Sequence, residues 1–185
     1  MCNRFFDKIN ELYDIILQPL DIIYKKTAIY NYKKMLKIDE KQSFSQEYCR
    51  LREGDKEKGI IYTPEEISTF ILENIISDEE IVNNPYLKIV DPACGCGNII
   101  IPCFNHLRKI YIRNLESINK LHNMNLTVTN IDKHIICNNL HGFDIDEDAV
   151  KILIIDLFNI AYNVCEKNFI VKEIGRAHVW TPVTG

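Results

Sequence analysis

The chain has 185 residues, with 22 Lys+Arg, 26 Asp+Glu and 5 His, a formal charge of −4 and a hydrophobic fraction of 46%. That length buries a core without disulfide or metal staples, and the composition excludes disordered and collagen-like chains. The acidic balance excludes nucleic-acid binding by bulk positive charge alone. Residues 1–58 carry 12 Lys/Arg against 10 Asp/Glu and the remainder 10 against 16, so only the N-terminal part is mildly basic.

Phe5, Ile9, Leu12, Ile16 and Leu20 recur at three- and four-residue steps and predict an amphipathic helix over 3–20, ended or bent by Pro19. A Lys-rich helical stretch follows over 21–38, with Lys25, Lys26, Lys33 and Lys34 read as a solvated face. Residues 39–58 are charged and read as a linker. Thr63-Pro64-Glu65-Glu66 predicts a helix start with Thr63 and Glu66 as a capping box, and the helix runs to about Ser77. Leu87 to Asp91 is a short apolar strand ending in an acid. A turn follows from Pro92 to Gly97, then a helix from Asn98 to about Leu115. Residues 116–139 are polar and give no clear assignment. Leu140 to Ile145 is a second strand carrying an acid at its end, and Asp146 to about Val164 a second helix. Phe169-Ile170-Val171 begins a third strand. Strand, helix, strand, helix in that order predicts an α/β fold with a parallel sheet.

Sites in open parallel sheets lie at the carboxyl ends of strands. Asp91, Gly95 and Gly97 stand at one such end and Asp144 at the other. Glycines there let a ligand approach the backbone closely, and an acid after the second strand is placed to take a pair of ribose hydroxyls. The third glycine of the dinucleotide fingerprint is absent, because Asn98, Ile99 and Ile100 follow Gly97. A P-loop Gly-Lys-Ser/Thr is absent too. An acid closing the first strand also repels a pyrophosphate. It suits S-adenosylmethionine (SAM), which has no phosphate and carries a sulfonium and an ammonium.

Asp91-Pro92-Ala93-Cys94-Gly95-Cys96-Gly97 resembles the D-P-A-C-G-S-G motif of N6-adenine DNA methyltransferases. Lys58-Gly59-Ile60-Ile61-Tyr62-Thr63-Pro64 resembles their upstream K-G-x-F/Y-Y-T-P motif. Gly142-Phe143-Asp144-Ile145-Asp146-Glu147-Asp148-Ala149-Val150 resembles their downstream G-x-D-I-D-x-x-A-V segment. The three occur in the family's order over about 58–160. The preceding helices are similar to the helical region before the methyltransferase domain in type I and type IIG restriction-modification enzymes. The resemblance implies an incomplete Rossmann-like SAM-dependent methyltransferase domain preceded by an N-terminal helical region. It implies that Tyr62, Thr63 and Pro64 cover the methionine end of SAM. Asp91, Pro92, Ala93, Cys94, Gly95 and Gly97 hold its amino-acid portion. Asp144 binds the ribose hydroxyls and Ile145 packs on the adenine. Cys96 departs from the family's usual Ser. The implied partners are double-stranded DNA and, in the complete enzyme, restriction or specificity subunits.

Adenine-N6 transfer in that family also needs an N/D-P-P-Y/F motif, which accepts hydrogen bonds from the target amine and stacks on a flipped base. No such motif follows the second strand. Asn83-Asn84-Pro85-Tyr86 lacks the first proline and enters the first strand instead of leaving a later one, so it reads as a turn. No catalytic residue is therefore assigned. Ile174 to Thr184 resembles the translation of a sequencing-library adapter, a match that needs the codon TGA to be read as tryptophan at Trp180. The expected organisation is a helical region and linker over 1–57, a truncated SAM-binding part over 58–172 and a non-native tail over 173–185.

Cys94, Cys96, Cys103 and His106 lack the paired spacing of zinc sites, so no metal is expected. The first segment, interrupted by Arg4, Asp7, Lys8, Glu11 and Asp14, has no signal-peptide pattern. No run of 18 apolar residues occurs. Scattered cysteines then point to reduced thiols in a cytoplasmic protein with no membrane partner. The alternative readings are a SAM-dependent methyltransferase acting on RNA or protein, a dehydrogenase fragment, and a non-catalytic interaction module.

Overall fold

The structure, a computed structural model, describes residues 2–52, 63–161, 170–174 and 177–181, with side chains described at 4–52 and 63–161. In chain order it contains α1 (Cys2–Leu17), α2 (Ile22–Leu36), α3 (Phe44–Leu51), α4 (Glu65–Ile75), α5 (Asp78–Asn83), β1 (Ile89–Asp91), α6 (Ile100–Arg113), α7 (Leu115–His122), α8 (Ile131–His134), β2 (Leu140–Asp144), α9 (Glu147–Ile160), β3 (Ile170–Ile174) and β4 (Ala177–Thr181). One wide helical turn, Ile135–Asn139, joins α8 to β2.

α9 is the centre of the molecule. Every residue from Ile152 to Phe158 is buried, so the helix is enclosed on all sides. α1 buries Phe5, Ile9, Leu12 and Ile16 of the expected stripe and packs on α9, whereas Leu20 lies beyond the helix and is exposed. Lys151 on α9 donates to Asn10 Oδ1 at 2.8 Å. The N-terminal helices and the α/β part share one hydrophobic cluster.

Three expectations need correction here. Residues 44–51 of the anticipated linker form α3. Ser43 caps it with a full capping box to Gln46, and Asp156 of α9 accepts from the Phe44 and Ser45 amides at 3.1 and 2.9 Å. Of the four lysines of α2 read as a solvated face, only Lys34 is exposed. Lys25 and Lys33 are buried. Lys33 Nζ donates to the Glu40 and Gln42 carbonyls, and Lys26 Nζ donates to those of Asn159 and Ala161 at the end of α9, where the helix dipole favours a cation. Finally, α4 starts at Glu65 with Pro64 as its N-cap and no side-chain cap, so Thr63 closes no capping box. The full box sits instead at Ser77–Glu80, where it opens the unanticipated α5.

β1 and β2 are parallel neighbours, with Ile89 opposite Leu140 and Asp91 opposite Gly142. This is the strand–helix–strand order expected. The strand order among described residues is β1-β2-β4-β3. β4 pairs antiparallel with β2, and β3 antiparallel with β4. The third strand therefore runs in the direction of β1 and β2 but is not their neighbour, and the described sheet is mixed, not wholly parallel. β4 and part of β3 fall in the stretch 173–185. Mostly helical, with this small sheet, the chain is compatible with a partial methyltransferase domain. No helix among the described residues is long and apolar enough to cross a membrane.

Candidate functional site

The parallel pairing of β1 and β2 puts two acids at one edge. Asp91 ends β1 opposite Gly142, and Asp144 ends β2 two residues farther on. The turn from Asp91 to α6 folds back across β2. Cys94 N–H donates to the Phe143 carbonyl and Gly97 N–H to the Cys94 carbonyl, both at 2.9 Å.

The two glycines of this turn are required for different reasons. Gly95 (φ +51°) faces open space, and only its left-handed backbone favours glycine. At Gly97 (φ +97°) a Cβ would lie 2.5 Å from Leu153 Cδ1 and 3.1 Å from Ile101 Cδ1. Gly97 thus lets the start of α6 lie directly on α9.

A cleft of about 410 Å³ opens in front of the turn. Thr63, Asp91, Ala93, Cys94, Gly95, Asp144 and Ile145 line it together. Pro64 and Gly97 line a different, larger cavity of about 750 Å³ that shares Thr63 and Asn98 with the cleft, and Pro92 lines neither. Tyr62 lies outside the described residues, as does the rest of the segment 58–62. Cys96 of the same motif lines the cleft as well, and Tyr48, Asn98, Ile99, Asp146 and Ala149, which were not anticipated, complete it. Tyr48 comes from α3, whose only sequence signal is the Ser43/Gln46 capping pair.

Asp144 is held by backbone donors. Gly95 N–H donates to Oδ2 at 2.7 Å and Asp146 N–H to Oδ1 at 2.8 Å. Each oxygen retains a lone pair for a ligand hydroxyl. Asp91 Oδ1 accepts from Ala93 N–H at 3.0 Å. Burial, joined by the charge of Asp144, pushes the Asp91 carboxyl above its ordinary range. Burial and the same two carboxylates push the Cys94 thiol up to about 12, so it stays neutral. Asp146, the N-cap of α9, accepts from Tyr48 Oη and lies 3.8 Å from Arg52. The cleft is therefore negative on the β1–β2 side, and a cationic group there relieves the Asp91–Asp144 repulsion. Ile145, 74% exposed, stands at the rim and offers an apolar surface to a ring.

This environment fits SAM: open space before Gly95, paired acids for the cationic methionine end and hydroxyls, and an apolar rim. Asn83-Asn84-Pro85-Tyr86 is the turn that its spacing predicts. Pro85 is buried, and its carbonyl accepts from Tyr111 Oη, His134 Nε2 and Asn139 Nδ2. Among the described residues no three His, Cys, Asp or Glu side chains converge as a metal site.

A family model described as "MmeI, DNA-methyltransferase domain" matches residues 81–182, from α5 through β4. No curated protein matches the chain.

Proposed function

Because the chain belongs to the MmeI DNA-methyltransferase domain family, we propose that it is the SAM-binding portion of a site-specific enzyme that methylates adenine N6 in double-stranded DNA. The observation that carries this reading is the placement of Asp91 and Asp144 on one cleft, across a turn whose glycines hold positive φ. When bound, SAM supplies an electrophilic methyl group that an adenine amine attacks directly, with the thioether as leaving group. The chain's own residues bind and orient. Asp144 takes the ribose hydroxyls, Asp91 and the Ala93–Gly95 backbone the methionine end, and Ile145 the adenine face. Thr63 reaches the cleft from the start of α4. Such positioning and fixed charge account for most of the rate in a direct transfer.

The absence of an N/D-P-P-Y/F segment bears on turnover. In this reading the chain binds SAM weakly and transfers no methyl group, and restriction or specificity subunits belong to the complete enzyme.

The test is titration of the chain with SAM and with NAD, alongside transfer of labelled methyl from SAM to double-stranded DNA. Saturable SAM binding, no NAD binding and no labelled DNA are expected. NAD binding in place of SAM contradicts the reading, and labelled N6-methyladenine formed by the chain alone contradicts the inactivity.

A further inference from the structure

We propose that Cys49 and Cys96 are a redox modification site, forming a reversible disulfide under hydrogen peroxide that ties α3 to the cofactor turn. The two thiols are 47 positions apart in sequence, yet their Sγ atoms lie 3.5 Å from one another, and both are free. They stand in the wall between the two cavities: Cys49 lines the larger one and Cys96 the cleft. Asn98 spans the pair. Its Oδ1 lies 3.8 Å from Cys96 Sγ, and its Nδ2 donates to Cys49 Sγ at 4.0 Å. Cys49 is half-buried and reachable through the larger cavity, whereas Cys96 is enclosed.

The asymmetry assigns roles. The hydrogen bond from Cys96 holds the Cys49 thiol below its usual range, against burial and with help from Asn98. The same bond, with burial, pushes Cys96 up. Cys49 is the attacking thiolate. Its sulfur takes one peroxide oxygen, the O–O bond breaks, and hydroxide leaves and is protonated to water. Oxidation of Cys49 removes the charge that held the Cys96 proton. Cys96 sulfur then attacks Cys49 sulfur, the S–O bond breaks, and the hydroxyl departs with the Cys96 proton as a second water. Two thiols lose two electrons to one peroxide.

A disulfide brings the sulfurs to about 2.05 Å, so the pair closes by roughly 1.5 Å. Cys96 lies between Gly95 and Gly97, which give its backbone the torsional freedom to move toward α3. That movement draws the Gly95 N–H from Asp144 Oδ2. The consequence for SAM rests on the function proposed above; the crosslink does not.

The experiment uses the full 185-residue chain. After peroxide treatment the free thiols are blocked, and the protein is digested without reduction and mapped by mass spectrometry. The expected main crosslink joins the peptides of Cys49 and Cys96. It is reversed by dithiothreitol and absent from both Cys49→Ser and Cys96→Ser. Both thiols remaining free, or a different pair crosslinking first, overturns the proposal. In parallel, SAM affinity is compared before and after oxidation. A loss of about tenfold is expected, the scale of one charge-assisted hydrogen bond, with Cys49→Ser indifferent to peroxide. Equal affinity of a mapped oxidised form and the reduced form overturns the coupling to the turn. A reduced chain that never binds SAM counts against the proposed function, and the crosslink map alone then decides this inference.

Discussion

The helices α1–α3 and the turn between β1 and α6 both lie against α9, but they use it in opposite ways. The N-terminal helices meet it with satisfied contacts. An apolar stripe is buried, Asp156 accepts from two backbone amides, one on each oxygen, and Lys26 sits on the last carbonyls of α9. The turn meets it through a glycine with no side chain, and its Asp91 stands with Asp144 of β2 on an open cleft. One region turns its polar groups inward onto the protein, while the other, though held by backbone N–H groups, leaves its two carboxylates facing an open cleft. Each invites a different kind of perturbation.

The largest effect is expected at Asp156. Replacing it by alanine strands the buried Phe44 and Ser45 amides and lowers unfolding free energy by about 3 kcal/mol, measured by urea denaturation. A loss below about 1 kcal/mol would show that α3 docks without this carboxylate. Next is Gly97→Ala, which drives a methyl into Leu153 at a strained φ. It should cost about 2 kcal/mol, whereas Gly95→Ala, with open space ahead of it, costs about 1 kcal/mol. Equal costs at both glycines would sink the claim that Gly97 is a packing residue.

Asp91 gives a shallower, pH-dependent effect. Its folded pKa is raised, so its contribution to stability is complete below the ordinary carboxylate range and is lost as pH rises through the raised value. Affinity for a cation runs the other way and rises with pH across the same window. Asp91→Asn should flatten both slopes, by thermal melts and by SAM titration. If both persist unchanged in the variant, another group is responsible. The smallest effect belongs to the partly exposed Glu47–Arg50 pair on α3, 2.6 Å apart. Glu47→Ala should change stability by only about 0.3 kcal/mol.

The turn was legible in the sequence because its signals are local. Acid, small residues and two glycines within seven positions, then a second acid after an apolar strand, specify backbone and charge with little help from the rest of the chain. What escaped was tertiary. Lys25 and Lys33 read as solvated because nothing in α2 announces the carbonyls and rings that receive them. α3 hid in a charged stretch because its decisive partner, Asp156, lies more than a hundred residues away. Tyr48 was missed as a cleft residue for the same reason. The strong-looking Thr63–Glu66 box lost to Pro64, which takes the N-cap position itself, while the box at Ser77 sat unnoticed beside it.

The central proposal is that the cleft at the carboxyl ends of β1 and β2 binds SAM through Asp144. Calorimetric titration of SAM into the reduced chain and into Asp144→Ala tests it most directly. The prediction is saturable binding to the wild-type chain and affinity at least about tenfold weaker in the variant, the scale of losing a charged acceptor for the ribose hydroxyls, with an unchanged fold by circular dichroism. A folded Asp144→Ala chain that binds SAM as tightly as the wild type would contradict it.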